Sequence, residues 1–139
     1  MKSLQNQVAL VTGGGSGIGR STALQLAQEG ARVVVTGRRQ GPLDAVVAEI
    51  QAAGGQAWAR TADLLQRPAL QALVKWVEAE LGPVDILVNN AGASSRVRNL
   101  LWVEPDDWDA TITVNLNAVY TLIQAVLPGM LAAGGGSII

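Results

Sequence analysis

The chain has 139 residues, a formal net charge of −1 and 49% hydrophobic residues. That composition supplies one domain (1–139) with a real core and excludes a disordered or polyanion-binding protein, so no nucleic-acid partner is expected. Cysteine and histidine are both absent, which removes disulfides, thiolate or imidazole catalysis and nearly all zinc chemistry, and no metal site is expected.

Met1–Gln7 carries no signal-peptide apolar core, which fits a cytoplasmic protein with no membrane partner. The apolar run Val8–Val11 then reads as a strand, and Thr12-Gly13-Gly14-Gly15-Ser16-Gly17-Ile18-Gly19 follows it directly, ahead of a helical pattern. A strand, a glycine-dense turn and a helix start leave the first helical N–H groups pointing into the turn, which makes an anion site. Glycines admit positive φ and let a pyrophosphate approach the main chain. A phosphate-containing cofactor is therefore expected there, the alternative being a flexible strand-to-helix turn. The turn is not a P-loop, since Arg20 follows Gly19 where a lysine and a hydroxyl residue would be needed, and no register fits G-x-G-x-x-G. Thr-Gly-x-x-x-Gly-x-Gly does fit, on Thr12, Gly13, Gly17 and Gly19.

Ile18 to Gln28 reads as the first helix, stopped by Gly30 before the β-branched run Val33–Val35. Leu43, Val46, Val47 and Ile50 then mark one buried helix face, with Gly54-Gly55 beyond its end. Gln56 to Arg60 alternates polar and apolar residues, as a short edge strand does, and Asp63 follows. Leu70, Leu73, Val74, Val77 and Leu81 form another helix stripe closed by Gly82-Pro83, and Val84 to Val88 is a compact apolar strand. A long helix is expected from Pro105 to Leu131, opened by acids that complement its dipole. Ile112, Leu116, Val119, Ile123, Val126 and Met130 are expected on its main buried stripe, with Val114, Leu122 and Leu127 off it and Asn115 buried within it.

Strands alternating with helices at this pitch predict an α/β fold, a Rossmann-like doubly wound parallel sheet of strand order 3-2-1-4-5. Ligands then sit above the strand C-termini. The glycine turn, Gly37-Arg38-Arg39, Asp63 and Asn89-Asn90-Ala91-Gly92 all fall on that rim.

With these residues in hand the chain resembles the short-chain dehydrogenase/reductase family. The resemblance rests on Thr12-Gly-x-x-x-Gly17-x-Gly19, Asp63-Leu64, Asn89-Asn90-Ala91-Gly92 and Val114-Asn115-Leu116, in that order and at familiar spacings. It implies that Gly13, Ser16, Gly17, Ile18 and Gly19 hold the cofactor pyrophosphate. It also implies that Asp63 and Leu64 meet the adenine, and that Asn90, Ala91 and Gly92 lie beside the ribose and nicotinamide. A carboxylate can accept from an exocyclic amino group, and a turn of small residues lets a flat ring lie against backbone. Asp63 taken alone reads equally as a helix cap. For Asn115 the resemblance implies a catalytic role in positioning a water of the proton relay, beside the alternative of an amide bonded to neighbouring backbone.

An NAD-selective site commonly places an acid at the end of the second strand, roughly 20 residues past the glycines. Here Gly37 stands there and Arg38-Arg39 follow. Two guanidinium groups match a 2′-phosphate, so NADP is expected, with NAD possible; the alternative is a pair of solvated loop arginines, and Ser16 is neutral where NADP-preferring relatives often carry a base.

The resemblance stops short of the family's catalytic serine and Tyr-x-x-x-Lys. The chain ends at Gly136-Ser137-Ile138-Ile139, where the fifth strand opens; Tyr120 has Gln124 four residues on, and the lysines are Lys2 and Lys75. The expectation is an incomplete domain of an NAD(P)-dependent oxidoreductase, inactive as this chain, whose longer form transfers hydride between nicotinamide and a carbonyl or alcohol. The second reading is a non-catalytic dinucleotide-binding or self-associating module. Apolar surface on the long helix predicts a homo-oligomer in either case, packed helix to helix, with edge-strand pairing as the competing geometry.

Overall fold

The computed structural model describes residues 3–139; Met1 and Lys2, the first of the polar N-terminal residues, lie outside the described residues. Five parallel strands form one sheet in the order β3-β2-β1-β4-β5, built from β1 (Val8–Thr12), β2 (Arg32–Gly37), β3 (Gln56–Thr61), β4 (Ile86–Val88) and β5 (Ser137–Ile138). Between them run α1 (Gly17–Gln28), α2 (Gln40–Ala52), α3 (Arg67–Leu81) and a helical rod made of α4 (Pro105–Ile112), a π-helical turn at Thr113–Asn117 and α5 (Ala118–Ala132).

The period of two along each strand divides the core between the sheet's faces. Leu10, Val34 and Leu87 pack with Leu70, Leu73 and Val77 of α3 and with Leu122 and Val126 of α5. Ala9, Val11, Val33 and Val35 turn the other way, onto Ala23 and Ala27 of α1 and Leu43, Val46 and Ile50 of α2. β1, central and covered on both sides, is buried at all five positions. Register runs straight across the sheet: Leu10 lies beside Val34 and Leu87, Val34 beside Trp58, and Leu87 beside Ile138. The Asp85 carboxylate accepts from the Val8 N–H at 2.8 Å and so fixes the start of β1 against β4. Every strand therefore delivers its C-terminus to the same rim.

The expected fold, strand order and β3 edge position are what the structure holds, and the strand that opens at Ser137 pairs with β4. The fourth strand is shorter than the apolar run, because Val84 and Asp85 form the approach to β4. The main difference is the rod's buried face. Ala118, Thr121, Leu122, Val126 and Met130 are buried, while Leu116 is 62% exposed and Val119 and Ile123 are only half-buried. A π turn adds one residue to the local repeat, so a stripe projected at 3.6 residues per turn through Thr113–Asn117 leaves the core face. Leu122, assigned off the stripe, is thus central to the core. Asn115, expected to be buried, is exposed.

The rod spans 28 residues and is by length and composition long and apolar enough to cross a membrane. In the fold it lies along α3, with Leu122 and Val126 in the core beneath the sheet.

Candidate functional site

The loops at the C-terminal rim enclose an open cleft of about 670 Å³. Its middle is the turn between β1 and α1. Ser16 is the N-cap residue of α1, in extended conformation, and its side chain makes no capping bond; no acid stands in the first turn. The helix therefore presents its first N–H groups and positive dipole end to the cleft without a side chain of the protein satisfying them.

The glycines of this turn have different tasks. Gly17 has φ +53°, and a Cβ placed there would meet nothing within 4 Å, so its missing side chain leaves space in the cleft itself. Gly13 has φ +63°, and a Cβ on it would lie 2.9 Å from the Asn90 amide nitrogen. A Cβ on Gly19 would run into the Gly13 carbonyl and the Asn90 amide, and Gly19 does not line the cleft. Gly13 and Gly19 thus allow α1 and the β4 loop to close on β1, and the room for a ligand stands over Gly17, with Ser16 and the exposed Ile18 beside it.

On one side of β1, Gly37, Arg38 and Arg39 leave β2 and line the cleft, both arginines exposed. A Cβ on Gly37 would make only ordinary contact, 3.6 Å from a Leu43 methyl, so bare backbone at this place is not imposed by packing. Asp63 and Leu64 line the same cleft beyond β3. Asp63 does not cap α3, whose N-cap is Gln66; its Oδ1 accepts from the Leu65 N–H at 3.0 Å in a local turn.

On the other side, Asn90, Ala91 and Gly92 leave β4. Thr12 stitches this loop to β1: its hydroxyl donates to the Val88 carbonyl at 3.3 Å and accepts from the Asn90 and Ala91 N–H groups at 3.1 and 2.9 Å. The Asn90 amide donates to the Thr12 and Gly13 carbonyls at 2.9 and 3.3 Å. Its donors thus shape the wall from behind.

Asn115 stands behind the same loop and outside the cleft lining. Its Nδ2 donates to the Ala93 carbonyl at 2.6 Å and the Thr111 carbonyl at 2.8 Å, and its Oδ1 accepts from the Ala93 N–H at 3.3 Å. The side chain straps the loop to the π turn, as the backbone-bonded alternative holds.

The stretch Ala93 to Val103, read from the sequence as one wall of a substrate site, lines the cleft through Ala93, Ser94, Ser95 and Arg96; sequence reasoning did not find the wall supplied by Asp107, Ala110 and Thr111 of α4 and Val114 of the π turn. The i, i+3, i+4, i+7 spacing of these four residues was the available signal. Tyr120 is 53% exposed and lies outside the cleft, its ring 5.9 Å from the Arg67 guanidinium carbon.

Residues 7–139 match the family model described as short chain dehydrogenase. The chain belongs to the short-chain dehydrogenase family. Similar relatives include cyclohexanol dehydrogenase of Acinetobacter sp. (strain SE19), 42% identical over 134 residues that make up 96% of this chain and 53% of the relative. The 3-oxoacyl-[acyl-carrier-protein] reductase of Thermotoga maritima is 38% identical over 98% of this chain and 55% of its own length. Among solved structures, a metagenomic short-chain oxidoreductase in complex with NADP superposes with a TM-score of 0.95 at 46% identity, covering 98% of this chain and 62% of that one. The NADP-bound 3-oxoacyl-(acyl-carrier-protein) reductase of Agrobacterium tumefaciens C58 gives 0.90 at 38% identity, covering 97% of this chain and 52% of that one. This short-chain dehydrogenase chain spans about half the length of the curated relatives it matches.

Proposed function

We propose that the chain binds NADP in the rim cleft as the cofactor-binding part of an oxidoreductase acting on a carbonyl or alcohol. The observation that carries this reading is the uncapped α1 N-terminus facing open space over Gly17, with the Arg38-Arg39 pair on the same cleft. Backbone N–H groups there would hold the pyrophosphate, the arginines a 2′-phosphate, and the free Asp63 oxygen the adenine amino group. When bound, the nicotinamide supplies or accepts the hydride. The chain's own residues bind and orient, and the Asn115 strap fixes the wall against which the ring would lie. In this account Asn115 also has the part in a proton relay that the family resemblance implies. The two NADP-bound neighbours support the choice of cofactor, and NAD is the weaker ligand in this account.

Calorimetric titration tests it: NADPH is expected to bind more tightly than NADH. Arg38→Ala should erase most of that difference, and Gly37→Asp, for which the backbone leaves room, should reverse it by offering a carboxylate to the ribose 2′-OH. Equal affinities for the two cofactors, or a preference untouched by both variants, would refute the assignment of the arginines.

The same account has the protein cytoplasmic and self-associating. Trp108, Ile112, Leu116 and Tyr120 recur every four residues as an exposed apolar stripe on the rod, and Leu127 and Leu131 extend the exposed apolar surface. Two-fold packing of this stripe on a second copy would cover it. Light scattering is expected to show a dimer or larger species, weakened by Leu116→Glu more than by Ile139→Lys; a monomer at high concentration would overturn the proposal.

A further inference from the structure

We propose that Arg96 recognises an anionic oxygen group, carboxylate or phosphate, carried by the carbonyl substrate. The inference rests on the dinucleotide reading of the cleft and deepens it by naming the class of substrate.

The cleft carries three separate features that attract anions. β2 and β4 flank β1 on opposite sides, so Arg38-Arg39 and the β4 loop with Arg96 stand at opposite ends, with the α1 N-terminus between them. A dinucleotide bearing a 2′-phosphate has two anionic centres, and these match the arginine pair and the helix N-terminus. The third cation is left over, at the end where the reacting ring would lie.

Arg96 is not engaged elsewhere by an acid: among the described residues the ion pair is Arg20–Glu49, on the outer face of α1 and α2. Asp107, the acid on the same wall, lies beyond ion-pairing distance of Arg96 and takes a hydrogen bond from the Ser95 hydroxyl at 3.3 Å. The same Ser95 oxygen accepts from the Val97 N–H at 3.0 Å. The residues before and after Arg96 are thus joined to each other and tied to α4, which braces the turn that carries Arg96 at the cleft. The neighbouring wall, Ala110, Thr111 and Val114, brings no charge, and the Thr111 hydroxyl is used within its own helix, donating to the Asp107 carbonyl at 2.8 Å. Small apolar surface beside one planar, bidentate donor suits a short ketone or aldehyde ending in an anion. Arg98, two residues on, does not line the cleft and serves as an internal control.

The test uses the 139-residue chain labelled with ¹⁵N-arginine, whose side-chain Nε–Hε resonances are assigned by single Arg→Gln variants. NADPH should move the Arg38 or Arg39 resonance; acetoacetate or dihydroxyacetone phosphate should then move that of Arg96 saturably, and the two probes separate carboxylate from phosphate. Methyl acetoacetate, the neutral counterpart, should leave it in place. Arg96→Gln should weaken the anionic ketone about two- to fivefold, the scale of an exposed charge contact, and Arg98→Gln should not. An Arg96 resonance unmoved by both anions, equal binding of acetoacetate and its methyl ester, or equal loss in the two variants would overturn the inference. Failure of NADPH to move Arg38 and Arg39 would instead count against the cofactor reading, and the Arg96 signal reports independently of it.

Discussion

Gly17→Ala is expected to leave the chain nearly as stable while removing NADPH binding, whereas Gly19→Ala is expected to destabilise the fold itself. At Gly17 the added methyl projects into the open space over the α1 N-terminus, where a pyrophosphate would rest. Its cost to the free protein is that of a left-handed conformation, about 1–2 kcal/mol, which a domain with roughly 5–15 kcal/mol of stability survives. At Gly19 the methyl meets the Gly13 carbonyl and the Asn90 amide, both fixed by the Thr12 stitching, so neither can yield without opening the contact between α1 and β4. A loss of about 3 kcal/mol is expected, the upper part of the overpacking range. Thermal unfolding followed by circular dichroism, together with calorimetric titration, separates the two effects. Gly17→Ala with unchanged NADPH affinity, or a Gly19→Ala protein as stable as the parent, would contradict this division of labour.

The second expected result is chemical. Purified chain with NADPH should reduce no ketone or aldehyde above background, because among the described residues the cleft wall offers serine and threonine hydroxyls but neither a tyrosine nor a lysine to donate and tune a proton. A positioned general acid is worth about 10²–10⁴-fold in rate, and a bound dinucleotide without one supplies positioning alone. Cofactor oxidation over a panel of carbonyl compounds checks this. Robust turnover surviving in Tyr120→Phe would reveal another proton donor, and robust turnover lost in that variant would assign Tyr120 a role its exposed position outside the cleft does not suggest.

Much of this was legible from the sequence because the central strand and its turn are specified locally. Val8–Val11 is apolar at every position, as a strand covered on both faces must be, and the glycine spacing after it fixes where the helix starts. The rim residues Arg38, Arg39, Asp63 and Asn90 follow from topology alone, since parallel strands bring all their C-termini to one side. The rod was less legible for a definite reason. Asn115 takes up the Thr111 carbonyl with its side chain while bonding Ala93 across the loop, and the turn widens to a π helix there. A tertiary bond thereby resets a local period, which moves Leu122 into the core and Leu116 out of it. The distinction between Gly13 or Gly19 and Gly17 was hidden for a related reason: spacing identifies a glycine turn, but only the direction of each absent Cβ tells packing from ligand space. The stretch Ala93 to Val103 was legible as a wall, but which of its residues line the cleft depends on how a loop without regular structure returns over it, which residue spacing along the chain does not encode.

The most direct measurement is a crystal structure of the 139-residue chain grown with NADPH. The account predicts pyrophosphate oxygens within hydrogen-bonding distance of the backbone N–H groups at the start of α1, above Gly17. It also predicts the 2′-phosphate against Arg38 or Arg39 and the nicotinamide beside Ala91 and Gly92. Density for the cofactor in another place, or in the cleft with its two ends reversed, would contradict it.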